Sequence, residues 1–263
     1  MYAIEYQRAK SVADAAAALA RTGGKALAGG QSLVGAMKLR LANPGTVVDL
    51  SGIAELKGIK KEGDAIAIGA LTTHAEVASS AVVKQAIPAL AALAEGIGDR
   101  QVRNRGTIGG SIANNDPAAD YPAAVLALNA TVVTNKRKIA ADDFFKGMYE
   151  TALGADEIIT AVSFPVPKKA AYVKFPNPAS RFALVGVFVA QTATAVRVAV
   201  TGASSHVHRS SALEAALAKT FTADAAKAVK IPADSLNTDL HGSAEYRAHL
   251  VSVLAARAVA AAG

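Results

Sequence analysis

Ala28-Gly-Gly-Gln-Ser-Leu33 stands between a short apolar run, Lys25 to Ala28, and a stretch from Leu33 to Leu41 with helical spacing that Asn43-Pro44-Gly45 ends. A strand that passes through a glycine pair into a helix leaves backbone amides uncovered by side chains, aimed at whatever anion lies before the turn. Thr107-Ile-Gly-Gly-Ser111 offers a second turn of this kind. It lies within Gly96 to Pro122, a glycine-, asparagine- and aspartate-rich run that reads as one long loop, and long loops usually carry function. Two amide-rich turns facing each other suit a pyrophosphate held on both sides. Taken singly, each Gly-Gly serves equally well as a plain turn. Neither turn has the Gly-x-Gly-x-x-Gly spacing of a Rossmann site, and no Gly-Lys-Ser/Thr pattern occurs, so those two nucleotide folds are not expected.

Outward from the first loop, Ser11-Val-Ala-Asp14 predicts a capped helix that Gly23-Gly24 ends, and Thr46 to Leu50 predicts a strand. Ile59 to Lys61 and Ala65 to Gly69 flank a turn, as a hairpin would. Thr72 to Leu93 reads as one or two helices interrupted at Pro88. Strands follow at Ala130 to Thr134 and Glu157 to Phe164. Pro165 to Lys169 then marks a domain boundary, beyond which Tyr172 to Lys174, Ala183 to Gln191 and Ala195 to Thr201 predict a three-stranded antiparallel sheet. Helices are expected near Ser210 to Lys219 and Ala244 to Ala262. The class is α+β in two domains, residues 1–167 (subdomains of about 1–55 and 56–167) and 168–263.

Composition narrows the chemistry. The chain has 263 residues and no cysteine, which removes disulfides, thiolate metal sites and Cys-ligated iron–sulfur clusters from this chain. The net charge of +7 is spread in short groups and only 5% of residues are aromatic, so a nucleic-acid surface is not expected; an acidic partner or an anionic ligand accounts for the excess as well. With no secretory run and no apolar stretch of spanning length, a cytoplasmic location is expected, association with the inner face of the membrane remaining open.

Ala28 to Leu33 with Met37-Lys-Leu-Arg40, followed by Val102 through Pro122, resembles the FAD-binding medium subunit of the xanthine dehydrogenase and aerobic carbon monoxide dehydrogenase family, the molybdenum hydroxylases. The similarity extends through Gly69 to His74 and Ser180 to Val185. The resemblance implies a p-cresol methylhydroxylase (vanillyl-alcohol oxidase) type FAD domain followed by a small carboxyl-terminal α+β domain. It also implies residues. Leu27, Ala28, Gly29, Gly30, Gln31, Ser32 and Leu33 with Thr107, Ile108, Gly109, Gly110 and Ser111 would embrace the pyrophosphate; Ser111 departs from the asparagine or aspartate often found there. Asn114, Asp116 and Asp120 would lie near ribityl and ribose hydroxyls, and Ile158 and Ile159 beside adenine or flavin. Lys174 would approach the flavin, where a cation favours the reduced anionic form. The implied partners are a large molybdenum-cofactor subunit and a small subunit with two [2Fe–2S] clusters, in a dimer of heterotrimers that passes electrons to quinone, NAD⁺ or oxygen. No catalytic or metal-binding residue is expected in this chain. A self-sufficient flavin oxidase of the same fold would need its own substrate cavity and base.

Three further features have plain readings beside functional ones. His206 and His208 alternate like a metal pair but lack acidic neighbours, and His74 reads as a supporting residue rather than a covalent flavin anchor. Arg100, Arg103 and Arg105 either shield phosphate charge or face a partner. Asp120 has a second reading as the cap of a helix from Tyr121.

Overall fold

The Ser11 hydroxyl accepts from the Asp14 amide and Gly23 closes the helix in the left-handed region, its N–H bonded to Leu19 O. In this computed structural model, which describes residues 1–262, that helix is α1 (Val12–Thr22). It packs on a parallel sheet of β1 (Glu5–Arg8), β2 (Lys25–Leu27) and β3 (Thr46–Asp49), in the order β1-β3-β2. The buried Thr-Val-Val-Asp run of β3 takes the centre. The helix α2 (Leu33–Lys38) follows the first glycine loop. Ala15, Ala18 and Leu19 of α1 meet Val48, Leu56, Leu71 and Ile158 in one core.

A second sheet forms from β4 (Ile59–Glu62) and β5 (Ala65–Gly69), which make the expected hairpin, with later strands of the chain. Three helices follow, α3 (His74–Ser79), α4 (Ala81–Ala86) and α5 (Pro88–Glu95), where one or two were expected. The extra break falls at Ser80, whose extended backbone and side-chain bond to the Val83 amide start a new helix. The expectation of an unpacked loop from Gly96 to Pro122 is also corrected: the segment holds α6 (Arg100–Arg103) and α7 (Ile108–Asn114). Asp99 and Thr107 cap these short helices, and the fully buried Ile108 and Ile112 anchor the second. After α8 (Tyr121–Ala127) come β6 (Thr131–Thr134), β7 (Lys138–Ala140), α9 (Ala141–Phe144), β8 (Phe145–Gly147), β9 (Glu150–Thr151) and β10 (Ile159–Pro165). The antiparallel order is β4-β5-β10-β6-β7.

The remaining chain forms β11 (Lys169–Pro176), β12 (Ala183–Gln191), β13 (Val196–Thr201) and β14 (His208–Arg209), then α10 (Ser211–Lys219), α11 (Ala223–Lys227) and α12 (Ala244–Ala261). The sheet therefore has four strands rather than three, because two residues of β14 pair with Ala199 and Val200. Strand β12 is buried on both faces. Val185, Val187 and Val189 pack under the three helices, while Phe188 and Ala190 join the core of the preceding sheet and helices. Arg197 Nε donates to Leu126 O at 2.8 Å, and its guanidinium pairs with Asp142, fastening this sheet to α8. Among the described residues, no helix is long and apolar enough to cross a membrane.

Candidate cofactor site

The two glycine loops touch. A Cβ built on Gly29 would lie 1.9 Å from Arg105 O and 2.9 Å from Gly106 Cα, and one built on Gly110 would meet Ala28 Cβ at 3.6 Å. Only bare backbone at Gly29 allows this approach, and Gly30, at φ +75°, occupies the left-handed region.

Their amides differ. Ile108 N donates to Thr72 O, Gly109 N to Ala70 O, Gly110 N to Thr107 Oγ1 and Ser111 N to Thr107 O, all at 2.9 to 3.1 Å. The glycines of the second loop admit close packing instead: a Cβ on Gly109 would sit 2.6 Å from Ala70 Cβ, and one on Gly106 would sit 2.5 Å from His74 Nε2. By contrast, the amides of Gly29, Gly30, Gln31, Ser32 and Leu33 find no acceptor among the described residues, and this stretch is half-buried to exposed. Five consecutive donors at an accessible turn fit one anionic group of the size of a phosphate. The sequence reading treated the two loops alike; the structure gives the open donors to the first and its backing to the second.

Of the remaining expected residues, Ile158 packs in the core beside Leu71 and Ala28, next to the first loop. Ile159 does not reach it. Strand alternation turns Ile159 into the core of the second sheet. Asp116 accepts from the Ala118 amide and, at 3.3 Å, from Tyr149 Oη, while Asn114 and Ser111 are half-buried on α7. Neighbouring Asn115, at φ +44° and fully buried, donates through Nδ2 to Gly147 O and Glu150 O, tying the β8–β9 hairpin to the end of α7.

Asp120 opens α8 but its side chain makes no cap. It is 5% exposed, with Oδ1 accepting from Tyr172 Oη at 2.5 Å and Oδ2 from Lys174 Nζ at 3.2 Å. Lys174 Nζ also donates to Gly96 O at 2.9 Å. Burial pushes the Asp120 carboxyl up, opposed by the Lys174 charge and both hydrogen bonds. Tyr172 and Lys174 thus engage both carboxylate oxygens, Lys174 Nζ lying 3.1 Å from Oδ1 as well.

His74 lies behind the second loop, its ring centroid 5.3 Å from that of Tyr121. Its Nδ1 and the Tyr121 hydroxyl are buried without hydrogen-bond partners among the described residues. Burial first, and the Arg103 charge second, hold His74 at about 4, so it is neutral near pH 7. Arg103 turns inward to Ile97 O and Gly98 O, leaving Arg100 and Arg105 exposed. His208 lies on β14 and shares a hydrogen bond with Ser204 Oγ, whereas His206 precedes the strand, so the two do not form a pair on one strand face. A cleft of about 560 Å³ lined by Ser11, Glu55, Leu56, Asn135 and Thr160 involves none of the expected cofactor residues.

Sequence reasoning missed Tyr172, Asn115 and Tyr149. Tyr172 had a signal, its two-residue spacing from Lys174 on an expected strand; Asn115 had none, since its role depends on a left-handed backbone and two distant carbonyls.

A two-part α+β unit with a donor-rich glycine turn at the seam of its parts is the framework of a domain that binds a phosphate-bearing cofactor. Residues 2–167 match the model of the FAD binding domain in molybdopterin dehydrogenase. The chain is 40% identical to the nicotine 6-hydroxylase medium subunit of Paenarthrobacter nicotinovorans over 79% of its own length and 77% of the relative's. It superposes on a chain of carbon monoxide dehydrogenase from Hydrogenophaga pseudoflava, in a form lacking the Mo-pyranopterin moiety, with TM-score 0.90 and 37% identity over 99% and 97% of the two chains. A chain of quinoline 2-oxidoreductase from Pseudomonas putida 86 gives TM-score 0.89 and 28% identity, again over 99% and 97%. This chain belongs to the family of FAD-binding medium subunits of the molybdenum hydroxylases, and is an oxidoreductase subunit.

Proposed function

We propose that this chain holds FAD at the first glycine loop and relays electrons from the [2Fe–2S] clusters of a small partner subunit to an external acceptor such as quinone, NAD⁺ or oxygen. The observation that carries the reading is the run of five acceptor-free amides from Gly29 to Leu33, braced at Gly29 by the backbone of Arg105 and Gly106. When bound, FAD supplies exchange between one-electron and two-electron carriers.

The chain's own residues take these roles in the proposal. The Gly29 to Leu33 amides hold the pyrophosphate, with Leu27 and Ala28 leading into the turn. Thr107 to Ser111 back the loop and offer the Ser111 hydroxyl. Asn114, Asp116 and Asp120 serve ribityl and ribose hydroxyls. Ile158 closes the apolar side, and Lys174 brings a cation toward the flavin ring. The division at residue 167 separates this FAD domain from the carboxyl-terminal domain. The large subunit carries the molybdenum cofactor, and the assembly is a dimer of heterotrimers in the cytoplasm.

The absence of cysteine supports the division of labour, since this chain has no thiolate with which to ligate a cluster. The test is to load the purified chain with FAD and add the substrate of the co-purified complex. The chain alone should keep its flavin absorbance, and adding the cognate large and small subunits should bleach it. Bleaching of the lone chain, free of molybdenum and iron, at the rate of the complex would overturn the relay and favour a self-sufficient flavoenzyme.

A further inference from the structure

Tyr172 and Lys174 stand two residues apart on β11, so both leave the same face of the strand, toward Gly96 and the start of α8. Register places Gly186 opposite Lys174, and the missing side chain there makes room for the Tyr172 hydroxyl, since a Cβ on Gly186 would lie 2.3 Å from it. The hydroxyl donates to Asp120 Oδ1, and Lys174 Nζ lies 3.1 Å from the same oxygen. Strand, glycine and helix start thus form a built pocket for one carboxylate.

The charge state of that carboxylate decides what the group presents to its surroundings. Ionised Asp120 cancels the Lys174 ammonium; protonated Asp120 leaves a net positive charge in a buried place. Burial favours the protonated acid, while Lys174 first and Tyr172 after it favour the carboxylate. Tyr121, the other titratable side chain beside Asp120, is itself pushed up by burial and by the Asp120 charge; it stays neutral and makes no hydrogen bond to it. Among the described residues, the Tyr172 hydroxyl is therefore the one uncharged donor that stabilises the carboxylate directly.

We propose that Tyr172 is a positioning residue that holds Asp120 as a carboxylate and so sets the net charge the Asp120–Lys174 pair presents to the bound flavin. The inference rests on the assignment of FAD to this site. Removing the hydroxyl weakens the hold on the carboxylate, a larger fraction of Asp120 takes up a proton, and the pair turns net positive. A positive neighbour favours the electron-rich state of a cofactor, so the midpoint potential should rise. It should also rise further as pH falls.

Tyr172→Phe keeps the ring and its stacking on Phe188, whose centroid is 6.0 Å away, and deletes only the donor. Spectroelectrochemical titration of FAD-loaded chains across a pH series should show a positive shift of the midpoint in Y172F relative to the wild type at the same pH, and a pH dependence of that shift, which widens as pH falls. Asp120→Asn, a permanent mimic of the neutral acid, should shift it in the same direction without that dependence, and Y172F in the D120N background should add nothing. In the flavin-free chain, infrared difference spectra should show the carbonyl band of a protonated carboxylic acid in Y172F and lose it in the double variant; this readout stands even where Y172F retains FAD poorly. A flavin-loaded Y172F with the midpoint and pH profile of the wild type overturns this inference alone. A wild-type chain that takes up no FAD overturns the cofactor assignment and this inference with it.

Discussion

Gly29→Ala adds a single methyl group where the backbone of the second loop already stands. The new Cβ would lie 1.9 Å from Arg105 O and 2.6 Å from Arg105 C, against the 3.4 Å at which ordinary contact begins. Both atoms are backbone, so no side chain can swing aside. The loops must separate by roughly 1.5 Å, at a cost of about 1–3 kcal/mol for overpacking of this kind. A shift of that size takes one or two of the Gly29–Leu33 amides out of hydrogen-bond range of a phosphate. At about 1.5–3 kcal/mol for each bond to a charged group, the loss is about 1.5–6 kcal/mol, or at least roughly 10-fold in FAD affinity. Gly35→Ala is the matched control: its Cβ meets nothing within 4 Å, it lies inside α2, and it should bind FAD like the wild type with up to about 1 kcal/mol more stability. Fluorescence-quenching titration with FAD, beside urea unfolding of the flavin-free proteins, measures both quantities. If Gly29→Ala bound FAD as tightly as Gly35→Ala, the contact between the loops would not organise the site.

His74 gives a pH prediction. Its value of about 4 lies below the ordinary 6.5, so the folded state binds this proton more weakly than the unfolded one. The stability present above pH 6.5 is therefore lost as pH falls from 6.5 toward 4, by up to about 3 kcal/mol; urea midpoints at pH 7 and 4.5 should converge in His74→Asn. Glu157 is held at about 2, chiefly by Arg137. Its contribution is present above about pH 4.5 and lost on acidification toward 2, so Arg137→Gln should flatten that limb of an acid-unfolding curve. Arg247, 3% exposed, donates to Leu184 O and Gly202 O at 2.8 Å and pairs with Asp239. Arg247→Met strands those carbonyls and should cost about 3–5 kcal/mol in chemical denaturation while leaving the first loop intact.

The elements legible in the sequence were those set by local chemistry. Ser11 and Gly23 bound α1 as their residue types dictate, and the alternation in Ala65 to Gly69 and the apolar run of Ala183 to Gln191 mark strands that the structure contains. What escaped depended on partners far along the chain. The polarity of Gly96 to Pro122 concealed two short helices, because their stability comes from Ile108 and Ile112 in the core and from capping by Asp99 and Thr107. The two glycine loops look equivalent as sequence. Only the carbonyls of Ala70 and Thr72 reveal that the second has already used its amides. Likewise Ile158 and Ile159 are interchangeable as residue types, and the turn of one strand sends them into different cores.

The measurement that bears most directly on the account is the flavin content of the chain itself. Purified, incubated with excess FAD and freed of unbound cofactor, it should carry one FAD per chain, released intact on denaturation, and Gly29→Ala should carry much less under the same treatment. A colourless wild-type chain, or one whose flavin content is indifferent to Gly29→Ala, would contradict the assignment of the cofactor to the first glycine loop.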